Sequence, residues 1–378
     1  MQSPILSQTP GFSDLAVVTV TTRNYLYRTR ALFESVQHFL PGSLGIACCA
    51  DSLQGTGDPA NENFKVVEAA SLQLPRYSQL AFALNATALC CALKPHAIKF
   101  VLRDTRIRRV LYIDNDIGLY RTPVELLALL EAHSFVLTPH HLNPLSVGTR
   151  PNETVLLPFG IYNAGLFAVK QSKEVSDFID WWGDWMLDPR HLDSLWAYDQ
   201  TWLNYVPVYC PQSCVLRDPS YNVAFWNLPE RDFKMNEESF YCGEKPLTAF
   251  HLSNFNEDHP ESLFWPARKC NYPSTKATRS VASDIVAKWA RNGRDQCLAY
   301  GYGYANWSNG EPIKFEEREK MKGLWDDLPQ ELNLWAPGFA SDELEAYRIQ
   351  SAKSCRRILN KILDISPRKV INHLRGRD

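Results

Sequence analysis

The sequence predicts an α/β fold, with a mixed, mainly parallel sheet flanked by helices and a helical C-terminal extension. Three observations carry this. Short β-branched runs such as LAVVTVTT and RRVLYI are apolar throughout rather than alternating, as in strands buried on both faces. Stretches with apolar residues at helical spacing separate them, the pattern of strands joined by crossover helices. The chain of 378 residues, 45% hydrophobic and 22% charged, is long enough for one large core with appendages.

In chain order, residues 15–22 read as the first buried strand. NYLYRTRALFESVQHFLPG follows, with Leu26, Leu32, Phe33, Val36 and Phe39 near helical spacing and a Pro-Gly stop. LGIACCA, ending near Asp51, and KVVEA are the next two strands. Residues 76–106 read as mostly helical, and RRVLYI returns to the sheet. Pro123 opens a Leu-rich helix, and SFVLTP and YNAGLFAVK are strands. VSDFIDWWGDWML and YDQTWLNYV read as helices, and PLTAFHL as the last strand. With no internal repeat and no low-complexity linker, the expected organisation is one domain over residues 12–275, a loop-rich helical extension over 276–350 and a basic amphipathic tail over 351–378.

Composition narrows the function. No apolar run is long enough to span a bilayer, so the chain is expected to fold in water. The opening MQSPILSQTPGFSDLAVV lacks the basic start and apolar stretch of a secretory signal, which points to the cytoplasm. The ten cysteines are then expected to be reduced, and the sequons at Asn85, Asn152 and Asn306 to be chance. Cys210 and Cys214 have no second pair at zinc-site spacing. Nucleic-acid binding is disfavoured, because the net charge is −2 and basic residues cluster only near the end.

The chemistry-bearing feature is RRVLYIDNDIGLY, where an acid-x-acid triplet follows a strand with no Lys or Arg close behind it. In an extended backbone, side chains at i and i+2 leave the same face, so Asp114 and Asp116 converge while Asn115 points away. Two carboxylates about 4 Å apart repel by roughly 4 kcal/mol at an effective dielectric of 20. A hard divalent cation, Mg2+ or Mn2+, relieves that repulsion and accepts substrate phosphate as a further ligand. The competing reading is a turn cluster, since Asp and Asn favour turns.

The ordered set VTTRNYLYRTRALFESV, ALKPHAIKFVL, VLYIDNDI, YNAGLFAVK, YDQTWLN, YNVAFWNL and FHLSNF resembles bacterial glycosyltransferases of the GT-A fold over roughly residues 12–265. More distantly it is similar to glycogenin and the lipopolysaccharide galactosyltransferases. The resemblance implies a nucleotide-diphosphate sugar donor, with a UDP-sugar favoured, and a glycan or lipid-linked acceptor in surface polysaccharide or lipopolysaccharide synthesis. It implies nucleotide contacts at Thr21, Thr22, Asn24, Tyr25, Asp51 and Asn115, and a diphosphate contact at Lys94. Asp114 and Asp116 are the implied metal and ribose ligands, and Asn163, Ala164 and Gly165 lie near the donor sugar. Asp199 and Gln200 fall near the reacting carbon, and His251 stands where a third metal ligand is found. The H-x-x-G-x-x-K-P-W continuation of glycogenin-like enzymes is absent from HLSNFNEDHP, so His251 is either a ligand or a satisfied strand-end histidine.

Glycosyl transfer builds negative charge on the departing phosphate oxygen, so a cation there favours the transition state. Asp199 is the expected base of an inverting enzyme, whereas Gln200 or Asp199 would lie under the sugar in a retaining one. A sugar-phosphate nucleotidyltransferase is the alternative enzyme class, but TTRNYLYRTR has no glycine for a triphosphate loop. A non-catalytic carbohydrate-binding protein is the other alternative.

Phe178, Trp181, Trp182 and Trp185 recur at helical spacing and read as a core-facing stripe. Trp196, just before Asp199, suits either stacking on an acceptor sugar or packing. YGYGYANWSNGEPI reads as an ordered loop with a binding or covering role. The tail carries eight Lys or Arg against Asp364 and Asp378, among the apolar stripes Ile358, Leu359, Ile362, Leu363 and Val370, Ile371, Leu374. Such a segment either lies on an anionic membrane, here the cytoplasmic face of the inner membrane, or docks on protein.

Overall fold

The computed structural model describes residues 11–192, 199–257, 274–307, 310–323 and 325–327. Trp196 and the basic tail lie outside the described residues. Two compact units are present, one of residues 1–74 with 84–303 and one of residues 75–83 with 304–378.

The elements of the first unit begin with strand β1 (Leu15–Thr21), helix α1 (Leu26–Phe39), β2 (Leu44–Cys49) and β3 (Lys65–Glu68). Helix α2 (Tyr77–Ala83) belongs to the second unit. The first resumes with α3 (Ala86–Leu102), β4 (Arg109–Ile113), β5 (Ile117–Leu119), α4 (Val124–Ala132) and β6 (Phe135–Pro139). Then come α5 (Glu153–Leu156), β7 (Tyr162–Lys170), α6 (Lys173–Met186), α7 (Val206–Tyr209) and β8 (Ser213–Val215). The small strands β9 (Phe233–Asn236), β10 (Ser239–Cys242), β11 (Lys245–Pro246) and β12 (Ala249–His251) precede α8 (Lys276–Arg291) and α9 (Arg294–Tyr300).

The main sheet has the order β3-β2-β1-β4-β7-β6-β8. β3, β2, β1 and β4 pair in parallel, and β7 runs antiparallel between β4 and β6. This is the predicted α/β class with a mixed, mainly parallel sheet. Every residue of β1 is buried, as its unbroken apolar run requires. Leu32, Phe33 and Val36 of α1 and Leu126 and Leu130 of α4 share one cluster with Leu15, Val17 and Leu111 on one face. On the other, Tyr112 and Phe135 stack on Phe167, which meets Trp182 of α6 at 6.1 Å. Fully burying such side chains contributes roughly 1.5–3 kcal/mol each. Helix α8 joins the same unit through Trp289, fully buried and edge-on to Tyr27.

Several expectations need correction. The expected tryptophan stripe splits, because only Phe178 and Trp182 point inward with Ile179 and Met186. Trp185 is 38% exposed and stacks on Trp202, while Trp181 packs against Trp202, Tyr205 and Tyr209. The buried face is centred on the side of Val175, Ile179, Trp182 and Met186, so Phe178 lies at its edge and Trp181 and Trp185 fall beyond it, where a second aromatic cluster covers them. The helix expected in YDQTWLNYV is a 3-10 segment, Gln200–Tyr205, running into the single turn of α7. PLTAFHL does form a strand, but β12 pairs with β5 in a separate two-stranded sheet. Asn85 and Asn152 cap α3 and α5 through their side chains. Each of the eight described cysteines is a free thiol.

In the second unit, α10 (Phe315–Gly323) packs on α2. The buried Arg318 donates to the carbonyls of Ala81, Phe82 and Tyr304, which satisfies its guanidinium with backbone acceptors. Among the described residues no helix is long and apolar enough to cross a membrane.

Candidate functional site

The site lies beyond the carboxyl ends of β1 and β4, the edge of an open α/β sheet where ligands usually bind. Because β7 runs antiparallel and registers Leu166 opposite Ile113, its first residues Asn163, Ala164 and Gly165 arrive at the same edge. The Asp114 amide donates to the Gly165 carbonyl at 2.8 Å. The short β5–β12 pair registers His251 opposite Ile117, and the Leu252 amide donates to the Asp116 carbonyl at 3.0 Å. Three distant segments are therefore locked together by backbone hydrogen bonds.

Asp114 and Asp116 do converge, but not on an extended backbone. Ile117 N–H donates to the Asp114 carbonyl at 3.1 Å, closing a turn over the triplet. The turn also sends Asn115 toward β1, where its Nδ2 donates to Thr21 Oγ1 at 2.9 Å. Ligand atoms of Asp114, Asp116 and His251 all lie within 4.8 Å of one another. Gly165 floors this space. A Cβ there would sit 2.6 Å from His251 Cε1, 2.8 Å from Asn163 Oδ1 and 2.9 Å from Asp114 Oδ2. Two carboxylates and an imidazole are a donor set that suits Mn2+ or Mg2+ completed by substrate oxygens.

The triplet has a cation that its local sequence hid. Lys94 of α3, 5% exposed, places Nζ 3.0 Å from Asp114 Oδ1 and 2.7 Å from Asp199 Oδ2, and donates to the Ala164 carbonyl at 3.1 Å. Its ammonium, expected at a diphosphate, is turned inward between two carboxylates. Burial works to lower the Lys94 pKa, but Asp114 and Asp199 outweigh it and hold the group well above its ordinary value. Burial pushes the Asp114 carboxyl up, against the pull of Lys94. Burial pushes Asp116 the same way, yet nearby positive charge, first from a protonated His251 and then from Arg28, brings it down to about 2.

The remaining expected residues divide between site and support. Gln200 Oε1 accepts from Asn163 Nδ2 at 3.2 Å, so this residue adjoins the start of β7. Asp199 is 4% exposed and committed to Lys94. Thr22 Oγ1 donates to Asn24 Oδ1 at 2.7 Å, and Tyr25 N–H to the Thr22 carbonyl at 2.9 Å, forming the turn after β1. Asp51 is buried and accepts from Arg23 N–H at 2.8 Å and Gly303 N–H at 2.6 Å. It thereby ties residues 300–303 to the turn after β1, which Arg23 reinforces through the carbonyls of Tyr300 and Gly301.

Four residues went unassigned in the sequence. Tyr112 donates to Asp114 Oδ1 at 2.8 Å. Asn222 Oδ1 lies 3.0 Å from His251 Nδ1, and its Nδ2 donates to Asn163 Oδ1 at 3.0 Å. His140 Nε2 lies 3.3 Å from Asn163 Nδ2. Arg28 stacks over Tyr25 at 4.5 Å and Trp289 at 4.2 Å, pairs with Glu257 at 2.8 Å, and adds positive charge near Asp116. YNVAFWNL contained Asn222, but nothing local marked which of its polar residues mattered.

No family model matches the chain. It is 23% identical over 249 residues to the uncharacterized protein YfnF of Bacillus subtilis (strain 168), covering 64% of this chain and 81% of that one. Among solved structures it is similar to the galactosyltransferase LgtC in complex with donor and acceptor sugar analogs. That match is 12% identical with a TM-score of 0.41, over 74% of this chain and 99% of that chain. It is also similar to a glycosyltransferase involved in glycosylation of the major capsid of PBCV-1, 11% identical with a TM-score of 0.37, over 65% of this chain and 95% of that one.

Proposed function

We propose that this chain is a GT-A-type glycosyltransferase that moves a sugar from a nucleoside diphosphate to an acceptor hydroxyl. The observation that carries the reading is the convergence of Asp114, Asp116 and His251 within 4.8 Å at the ligand-binding edge of the sheet, over a glycine whose missing Cβ leaves the space open. A divalent cation held by these three residues would supply positive charge to the departing diphosphate oxygen. The chain's own groups do the rest. Lys94 bridges Asp114 and Asp199 and holds both carboxyl groups in place, and Tyr112 fixes the rotamer of Asp114. Asn163 orients Gln200 at the face where the sugar would lie. On this reading Thr21, Thr22, Asn24 and Tyr25 form the nucleotide side.

The donor we favour is a UDP-sugar, and the acceptor a glycan or lipid-linked glycan of a bacterial surface polymer, with the basic tail contacting the inner membrane. The test is a screen of sugar nucleotides for thermal stabilisation with and without Mn2+, repeated for the best donor with Asp116→Ala. We expect a Mn2+-dependent rise in melting temperature that the substitution removes. An equal rise in the variant would overturn the assignment.

A further inference from the structure

We infer that Asn222 is a positioning residue that sets the tautomer of His251, so that its Nε2 lone pair faces the cation site. The inference rests on the Asp114–Asp116–His251 reading above and deepens it. It follows from hydrogen-bond roles that the backbone dictates.

An amide side chain can be turned either way, and an imidazole can carry its proton on either nitrogen, so an orientation needs an unambiguous anchor. Three anchors exist here. The Gly165 N–H can only donate, and it meets Asn163 Oδ1 at 2.9 Å, which makes that atom the carbonyl oxygen. The Ile161 carbonyl can only accept, and it lies 3.2 Å from His140 Nδ1. His140 Nδ1 therefore carries the proton, and its Nε2, 3.3 Å from Asn163 Nδ2, accepts. Both anchors give the same orientation of Asn163. The Leu166 carbonyl takes the single hydroxyl proton of Thr138 at 2.5 Å, leaving Thr138 Oγ1 able only to accept.

Asn222 faces both of these acceptors, Asn163 Oδ1 at 3.0 Å and Thr138 Oγ1 at 3.4 Å, so the group turned toward them is its NH2. Its oxygen is then the atom 3.0 Å from His251 Nδ1, which must carry a proton to donate. The neutral imidazole thus has its lone pair on Nε2, 3.1 Å from Asp116 Oδ1. Asp116 Oδ1 is itself buried without a hydrogen-bond donor. Two acceptors at that distance need positive charge between or beside them, supplied by a second proton on the ring or by a metal cation. Asn222 is fully buried and holds a left-handed backbone, φ 49°, which asparagine tolerates better than most residues. Histidine ligands commonly donate their other N–H to such a partner, and loss of that partner costs about 10–100-fold in metal affinity.

The test uses the full chain labelled with 15N-histidine, with His251 assigned by the signal lost in His251→Gln. Mn2+ affinity is measured separately by electron paramagnetic resonance. We expect a proton-bearing Nδ1 with and without Mg2+. Asn222→Gly removes the amide without straining a left-handed residue, and should weaken Mn2+ binding about 10–100-fold. A bare Nδ1 in the wild-type protein would overturn the inference. If affinity falls in Asp116→Asn but not in Asn222→Gly, the relay alone is wrong. If Asp116→Asn has no effect, the cation site itself is wrong and the relay falls with it. Should Asn222→Gly fail to fold, the wild-type Nδ1 signal decides the matter.

Discussion

Replacing Lys94 with Met tests the electrostatic frame of the site, because Met fills nearly the same volume without the charge. The ammonium lies 3.0 Å from Asp114 and 2.7 Å from Asp199. At an effective dielectric of 20, each contact is worth about 6 kcal/mol of attraction, and desolvating the ammonium offsets several kcal/mol of that sum. Removing one partner of such a buried cluster strands the other charges, so about 3–5 kcal/mol of stability should be lost at neutral pH. The stranded carboxylates escape by taking up protons, which raises their pKa in the folded variant above the unfolded value. The folded variant then binds more protons than the unfolded chain, its stability falls as pH rises, and the deficit is smallest in acid. Urea unfolding followed by tryptophan fluorescence at pH 7.5 and pH 4.5 measures both features. A loss below about 1 kcal/mol at pH 7.5, or a deficit that grows on acidification, would refute the reasoning.

Three further outcomes are expected. Gly165→Ala should cost about 1–3 kcal/mol and abolish Mn2+ binding, because the new methyl meets His251, Asn163 and Asp114 at under 3.0 Å; unchanged binding by calorimetry would contradict this. Asp116, held down to about 2 from an ordinary 3.8, should contribute about 2 kcal/mol above pH 4 in chelator, lost as pH falls toward 2; the stability difference from Asp116→Asn should shrink accordingly between pH 5 and pH 2. Asp51→Ala should free the Gly303 amide, seen as faster hydrogen exchange at residues 300–303, with a stability loss of about 1–3 kcal/mol.

Much of this architecture is visible in the amino-acid order, for identifiable reasons. The runs that became β1, β2, β4 and β7 are apolar on both faces, and only a buried strand makes use of that pattern. Asp114 and Asp116 were legible as an acid-x-acid triplet at a strand end, and His251 only through the resemblance, which left it either a ligand or a satisfied strand-end histidine. Their mutual approach depends on an antiparallel β7 and a detached β5–β12 pair, which are pairing choices between segments far apart in sequence. The direction of Lys94 was illegible for the same reason, since its partners Asp114 and Asp199 lie 20 and 105 positions away. Asn222 was hidden more deeply. Its role comes from a left-handed backbone and two long-range partners, Asn163 and His251, none of which a local pattern encodes.

The central claim is that a divalent cation is held by Asp114, Asp116 and His251. Crystals grown with Mn2+ and UDP, measured at a wavelength where manganese scatters anomalously, test it most directly. We expect an anomalous peak at coordination distance from Asp116 and His251 Nε2, with diphosphate oxygens completing the shell. A nucleotide-bound manganese located elsewhere, with these three side chains unliganded, would contradict it.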